Sequence, residues 1–486
     1  LVETTVLTLT GGLFGLLVGA AGVRLLGAIG AEHLPLGARI ALDMRVASIA
    51  LVGAAVMGIV MGLPIAWFNL RDRSSNPLNF ESRTSTVSRA AQRLRHGFIV
   101  AQIALAFVLL AGAGLLGPSL KKAMDVPPGF QPDHVLTGQL SISGKNFPNG
   151  AALLAFVERL GQELGRQPGV RAVGIATNVP LSGISNKSAV TVKSYVRRPG
   201  QSLQGHYSYG VDGDFFSALG MTLVDGRFLT AADSRRAERV CVVDEDFARH
   251  YWPQGGAIGH RVFAGAEERP DAEAFTIVGI VSPMKQADLT DAEAQGAAFF
   301  PFGYRMDGEF YVVARTSLAP ESLGNTLQSV VRNIDAELPV NDLLAMETRI
   351  ADSLVARRSP VLLAGLFSAI ALLLTAIGTY GVLASAVAQR RREIGLRMAL
   401  GARPEQVRRQ FVALALRLLI GGTALGVLGA WLASRALQAV LFQVPALHMA
   451  TLAATAVVLG TVSVAACLLP SHRAARISPM EAMTNE

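Results

Sequence analysis

A bundle of membrane-spanning helices carrying a large inserted α+β domain is the fold class this sequence predicts, on three observations. Hydrophobic residues make up 51% of the 486 residues and charged residues only 16%, and the mean hydropathy is +0.40, well to the apolar side for a soluble protein. The apolar residues gather in long runs near both ends, whereas residues 121–359 have the composition of a soluble domain. The net charge of +8 comes from arginines beside the apolar runs and not among aromatics, which points to membrane orientation and speaks against a nucleic-acid partner.

A span needs about 20 apolar residues to cross roughly 30 Å of hydrocarbon. About six runs qualify: Val6 to Ile29, Val46 to Phe68, Phe98 to Leu120, Pro360 to Val387, Phe411 to Leu437 and Ala450 to Leu469. Arg24 and Arg417 sit toward the ends of their runs, where a long side chain can reach the interface without a transport role. One basic connection holds Arg71, Arg73, Arg83, Arg89, Arg93 and Arg95; another holds Arg390, Arg391, Arg392, Arg397, Arg403, Arg408 and Arg409. Basic loops stay on the cytoplasmic face, so both ends and both basic connections are expected inside and the central domain outside. No basic n-region or small-residue cleavage site precedes the first run, and the chain is expected to begin inside a longer protein. Cys241 falls in the soluble region and Cys467 in an apolar run, so a bridge between them is not expected.

Gly11, Gly15 and Gly19 recur at four-residue spacing in the first run, and Gly422, Gly426 and Gly429 line the fifth. Small residues let helix backbones approach closely, so these are helix-packing candidates; general glycine enrichment of membrane helices is the other reading. Shifting the first membrane segment onto the last reveals a partial duplication. Gly11-Gly12 with Gly19 recurs as Gly421-Gly422 with Gly429, Ala41 to Met44 recurs as Ala446 to Met449, and Leu-Pro closes both second spans, at Pro64 and Pro470. The opening pair of runs therefore reads as the tail of a first copy, and the remainder as a whole second copy.

Within residues 121–359, short β-type runs alternate with amphipathic stretches. Strands are predicted at His134 to Ile142, Val170 to Ala176, Ala189 to Tyr195, Val240 to Val243, Thr276 to Val281, Ala298 to Pro301 and Phe310 to Arg315. Helices are predicted at Ala151 to Arg166 and Pro320 to Ile334; in the first, Leu153, Phe156, Val157, Leu160 and Leu164 form an apolar stripe that implies core packing. No Walker A loop, zinc-ligand spacing or nucleophile elbow occurs, so no enzyme activity, no catalytic or metal site and no cofactor of its own is expected. Leu181-Ser182-Gly183 matches only the start of a cassette signature. His206, His250 and His260 are scattered, and Asp244-Glu245-Asp246 reads as a helix start better than as a cation site.

The segment Gln389 to Gln410 is the most informative. A helix over about 389–402 would prolong the fourth span, with Ile394, Met398 and Leu400 on an apolar face and Arg390, Glu393 and Arg397 around it. Gly401 is a natural stop and Pro404 a natural first-turn residue. An anchor on anionic lipid accounts for some of the arginines; an apolar stripe with an embedded Glu favours a docking helix for a partner.

The run Arg392-Glu393-Ile394-Gly395-Leu396-Arg397-Met398-Ala399-Leu400-Gly401-Ala402 resembles the motif that follows the second span of MacB/FtsX-type permeases. The spans around it and the closing Ala475 to Ala482 resemble that family too. In the outer region, Asp214 to Met221, Gly226-Arg227-Phe228, Ala232-Asp233, Ile258 to Val262 and Ile277 to Val281 resemble the MacB periplasmic core. The two-copy organisation is similar to duplicated MacB-like permeases, from which this chain departs by lacking the first unit's opening span and outer domain, as an N-terminally truncated chain would.

The resemblance implies a division into 1–70 (last two helices of a first permease unit), 71–96 (basic cytoplasmic linker), 97–120 (first helix of the second unit), 121–359 (MacB-like periplasmic core) and 360–486 (FtsX-like permease domain). It implies a bacterial inner-membrane location with the central domain in the periplasm. It further implies a cassette ATPase partner that binds ATP and Mg and docks on Arg392 to Ala402, mechanical transmission to the outer domain for export, and a periplasmic adaptor or outer-membrane partner. A regulator of the same fold, acting on cell-wall hydrolases or lipoprotein release, and a membrane-anchored ligand sensor are the competing expectations.

Overall fold

The computed structural model describes residues 2–30, 43–74, 89–142, 147, 149–184, 186–193, 195, 204–235, 239–268, 270, 273–291, 296–304, 308–389, 394–397, 400, 403–438, 441–445 and 448–474. The chain divides into two compact units: Leu1–Lys121 together with Val355–Glu486, and Lys122–Leu354.

The first unit is helical: α1 Val2–Gly30, α2 Met44–Ser74, α3 Arg89–Met124, α10 Val355–Gln389, α11 Pro404–Leu437 and α12 Met449–Ala474. Five helices carry stretches long and apolar enough to cross a membrane: Thr4–Arg24, Gln92–Met124, Val355–Gln389, Glu405–Ala436 and Met449–Leu468. In α2 the corresponding described stretch, Met44–Val60, is shorter. Helices suit this setting because each satisfies its own backbone hydrogen bonds where no water can do so. Large apolar side chains remain outward on several of them, with Leu105 66%, Ile420 67% and Val457 64% exposed, a surface that water would not tolerate over this extent.

Inside the bundle, Ile99, Ile103, Phe107 and Ala111 of α3 pack with Leu418 and Ala430 of α11 and Leu459 of α12. The close approach of α3 and α11 depends on glycine. A Cβ added at Gly422 would meet Ile103 Cγ2 at 2.5 Å, one at Gly426 would meet Phe107 Cβ at 2.6 Å, and one at Gly429 would meet Val108 Cγ2 at 2.8 Å. Gly11, Gly15 and Gly19 face open space within this chain, and it is Gly12 that meets α2, where an added Cβ would lie 2.8 Å from the Ala54 Cβ. Buried hydroxyls on α10 return to their own helix: Ser368 donates to Ala364 C=O at 2.6 Å, Thr375 to Ala371 C=O at 2.8 Å and Thr379 to Thr375 C=O at 2.7 Å, so none is stranded in an apolar interior.

The second unit holds strands β1 Val135–Ser141, β2 Val170–Ala176, β3 Lys187–Val192, β4 Gly205–Gly213, β5 Leu223–Gly226, β6 Val240–Asp244, β7 Arg261–Ala264, β8 Phe275–Val281, β9 Ala297–Pro301, β10 Glu309–Thr316 and β11 Val340–Ala345. Its helices are α4 Gly150–Gly165, α5 Phe215–Leu219, α6 Ala231–Arg235, α7 Glu245–Tyr251, α8 Ser322–Ile334 and α9 Met346–Ser353. The strands join in one sheet ordered β11-β1-β10-β2-β4-β3-β7-β8-β6-β9, with β5 beside β8. β9 returns to pair with β4 in parallel register, from Tyr207 opposite Ala297 to Val211 opposite Pro301, so the far part of the sheet closes on itself.

Three clusters follow from the two-residue period of the strands. Phe310, Val312 and Ala314 of β10 face α4 and α8, while Tyr311 and Val313 face the central cluster around α5. On β9, Ala298 and Phe300 pack with α7 inside the closed part, and Ala297 and Phe299 turn to the central cluster. The predicted stripe of α4 is buried against the sheet, and Asn149 caps the helix by accepting from Ala152 N–H at 2.9 Å. The seven predicted strands are present, although β3 runs from Lys187 to Val192 and stops short of Tyr195. Four strands were not predicted. The most consequential is β4, Gly-His-Tyr-Ser-Tyr-Gly-Val-Asp-Gly, which is buried along nearly its whole length; Tyr207, Tyr209 and Val211 enter the central cluster, but the alternate face of His206, Ser208 and Asp212 is buried as well, and three glycines interrupt the pattern.

One buried ion pair ties the last helix of this unit to the sheet. Arg349 of α9 is 3% exposed; its guanidinium donates to Thr137 Oγ1 at 2.7 Å, to Asp342 C=O at 2.9 Å and to the Asp342 carboxylate at 2.6 Å. α9 ends at Ser353, and α10 begins at Val355.

The glycine contacts separate two outcomes. Gly426→Leu should overpack the α3–α11 contact and cost about 1–3 kcal/mol, lowering the thermal midpoint of the detergent-purified chain. Gly15→Leu should leave that midpoint unchanged. A thermal-shift assay of both variants checks this, and an equal response would contradict the packing described.

Candidate functional site

The segment singled out by its sequence lies where α10 ends and α11 begins. α10 stops at Gln389, and residues 394–397 are helical. Ile394 is only 5% exposed and packs with Leu383 of α10, Val407, Phe411 and Ala415 of α11 and Cys467 of α12. Gly395 is buried beside it, while Leu396 and Leu400 are 57% and 80% exposed. Leu400 N–H donates to Leu396 C=O at 3.0 Å, which carries the helical spacing forward. α11 then opens at Pro404; Gln406 Oε1 accepts from Arg403 N–H at 3.4 Å, and Gln406 N–H donates to Arg403 C=O at 3.0 Å.

This geometry corrects the expected apolar face. Ile394 does not point outward with Leu400; it closes the end of the bundle, because the chain turns from α10 into α11 over a short segment whose first apolar residue meets three converging helices. The exposed apolar pair is Leu396 with Leu400, and Arg397 is exposed between them. Arg390, Arg391, Arg392, Glu393, Met398, Ala399, Gly401 and Ala402 lie outside the described residues.

In the second unit, the sequence motifs turn out to be structural. Phe215 and Phe216 are buried; Phe216 stacks on Phe228 with ring centroids 5.0 Å apart and meets Phe299 edge-on at 5.2 Å. Gly220 ends α5 with φ 63°, and Gly226 turns with φ 77°, both in the left-handed region that glycine occupies without strain. Arg227 grips the Asp233 carboxylate with two bonds of 2.8 and 2.9 Å, and Thr230 adds its N–H at 2.8 Å. Burial would raise the Asp233 pKa, but these donors outweigh it and hold the carboxyl below its usual range. Gly259 N–H donates to Ile277 C=O and Ile277 N–H to His260 C=O, each at 2.9 Å, so two of the motifs pair with one another. The Leu181-Ser182-Gly183 run is a turn built around Asn178, which accepts from the Ser182 hydroxyl at 2.7 Å and donates to Ile184 C=O at 2.9 Å.

The acidic triplet starts a helix, as its sequence suggests. Asp244 caps α7 by accepting from Phe247 N–H at 2.8 Å, and Glu245 and Asp246 approach Arg249 at 3.5 and 3.6 Å. Burial pushes the Asp244 carboxyl up to about 7, against the opposing N–H groups of Phe247 and Ala297. His206 is fully buried and shares a 2.8 Å hydrogen bond with Tyr251 Oη; His260 lies against Trp252 with ring centroids 4.9 Å apart. Cys241 and Cys467 are both free and buried.

Two family models match the chain. The model of the MacB-like periplasmic core domain matches residues 103–331, and the model of the FtsX-like permease C-terminal domain matches residues 365–479. A pyoverdine export ATP-binding/permease protein PvdT of Pseudomonas putida is 29% identical over 309 residues, 60% of this chain and 44% of that protein. The PvdT protein of Pseudomonas savastanoi pv. phaseolicola is 30% identical over 58% of this chain and 43% of its own length. A macrolide export ATP-binding/permease protein MacB of a Shewanella species is 26% identical over 57% of this chain and 43% of its own length. The chain thus spans less than half the length of the curated relatives it matches.

The buried Asp244 makes a pH dependence calculable in sign. Its folded pKa lies above the roughly 3.9 of an unfolded aspartate, so the folded state keeps a proton that the unfolded state has released. Its contribution is complete below about pH 4 and is lost as pH rises through about 7. Asp244→Asn keeps a capping oxygen and removes the titration. The stability difference between the parent and this variant, read by urea unfolding with Trp67 and Trp431 replaced by phenylalanine in both so that Trp252 alone reports, should shift against the parent between pH 5 and pH 8; a constant difference contradicts the assignment.

Proposed function

We propose that the chain is a permease of the MacB/FtsX type, the membrane part of an export system whose outer domain is moved by a separate cassette ATPase. The observation that carries this reading is the pairing of an anchored and an exposed residue in one short helix. Ile394 is packed into the end of the bundle, so the helix cannot slide independently of α10, α11 and α12. Leu396 and Leu400 stand free on it with Arg397 between them, which gives a partner an apolar grip with a cation at its centre. Apolar anchors flanked by charge are how helices commonly seat in a partner's groove, and a push on a rigidly held turn is delivered to the helices that hold it.

The reading places six spans across the inner membrane, with α2 as the second, both basic connections in the cytoplasm and the sheet domain in the periplasm. The charge distribution supports it: arginines crowd the start of α3 and the segment after α10, while the sheet domain is joined to the other ends of those helices. The names of the relatives, ATP-binding/permease proteins for pyoverdine and macrolide export, support an ATPase partner and export as the direction. In this reading ATP and Mg are held by the ATPase, and the chain's own part is mechanical: α10 links the docking turn directly to α9, whose Arg349 is locked into the sheet. The membrane helices then need no aqueous path for substrate.

Co-purification with co-expressed cassette ATPases tests the docking turn. Leu396→Asp with Leu400→Asp should weaken association by about thirtyfold or more, the loss typical of removing a buried anchor, with the chain still folded. Unchanged association would overturn docking at this turn.

A further inference from the structure

A cavity of about 600 Å³ opens among α3, α10 and α11 within the helical unit. Three arginines line it, Arg95 of α3 with Arg409 and Arg417 of α11, and the remaining polar lining includes His96, Gln389 and Gln410. Among the described residues, no carboxylate contributes to the lining. Arg95 donates to Ser385 Oγ at 3.0 Å, and among the described residues none of the three arginines is paired with an acid. A hollow lined by three arginines attracts an anion with several acceptor oxygens, and guanidinium groups match phosphate oxygens in geometry.

Its depth is fixed by the helices themselves. The apolar stretches of α3, α10 and α11 terminate at Gln92, Gln389 and Glu405, and Gln92, Gln389 and Gln406 all border the cavity. It therefore sits where three spans pass from hydrocarbon to headgroup. On α11 the lining residues Gln406, Gln410, Ala413 and Arg417 follow one face at alternating steps of four and three. The next position along that face is Ile420, which is 67% exposed. A polar hollow that continues into an exposed apolar stripe fits an amphiphile, not a free anion.

We propose that this cavity is a binding site for the phosphate headgroup of an anionic phospholipid, with an acyl chain lying along α11 past Ile420. The site is separate from the docking turn: its lining includes neither Leu396 nor Leu400. It adds a lipid requirement to the proposed function, because the lipid would bridge α3 to α11 just where α11 leaves that turn.

Native mass spectrometry of the detergent-purified chain, with phosphatidylglycerol or phosphatidylcholine added, tests it. The expected result is retention of phosphatidylglycerol over phosphatidylcholine, and a loss of roughly twentyfold in that retention for Arg409→Gln with Arg417→Gln. Lysine at both positions should restore most of it, and Arg435→Gln, at the far end of α11, should change nothing. Millimolar inorganic phosphate should not displace the lipid. Should the paired variant fail to fold, Arg95→Gln alone, on the facing helix, should still reduce retention by roughly fivefold. Equal retention of the two lipids, undiminished retention in the folded variants, or displacement by inorganic phosphate would each overturn the lipid site, the last by assigning the cavity to a free anion. Association with a cassette ATPase, read separately, distinguishes failure of this site from failure of the docking turn.

Discussion

Hydrocarbon can accept apolar side chains on every face of a helix but cannot satisfy a single stranded backbone group or arginine, and the helical unit is arranged around that constraint. Side chains such as Leu105, Ile420 and Val457 remain outward where a soluble protein would bury them. The buried hydroxyls of α10 bond back to their own helix. With no hydrophobic effect to draw the helices together in lipid, close contact has to come from shape, and it is glycine that lets α11 settle against α3. The arginines lie toward the ends of the apolar stretches, where Arg95, Arg409 and Arg417 line one cavity.

The outer unit obeys the opposite rule. Its sheet is long and partly closed, so most strands are buried on both faces and the core is divided into three clusters. The residues that looked like family motifs turn out to secure this sheet. The Arg227–Asp233 pair locks a turn, the phenylalanines of α5 fill the centre, and Arg349 fastens α9 to β1 and β11. A unit pinned this way resists internal deformation, which the proposed mechanical coupling would require of a load.

Much of this was legible in the residues. Long apolar runs announced the long helices, the α4 stripe announced its burial, and the Asp244 triplet announced a helix start, because each rests on local spacing. β4 escaped because its place is set by neighbours far away in sequence: β2, β3 and β9 surround it, and tyrosine, serine and histidine can occupy its faces once those neighbours supply partners. Ile394 escaped for a related reason. Its apolar character says only that it can face a neighbour, and the convergence of α10, α11 and α12 that draws it inward is a tertiary fact. The glycines split the same way, since equal spacing in α1 and α11 does not say which helix has a neighbour pressed against it.

The account stands on the docking turn and the sheet domain lying on opposite sides of the membrane while joined through α9 and α10. Single cysteines at Leu400 and Val224, in a chain with Cys241 and Cys467 replaced by serine, can be probed with a membrane-impermeant maleimide on right-side-out and inverted vesicles. The account predicts labelling of the Val224 position only in right-side-out vesicles and of the Leu400 position only in inverted ones. Labelling of both from the same side would contradict it.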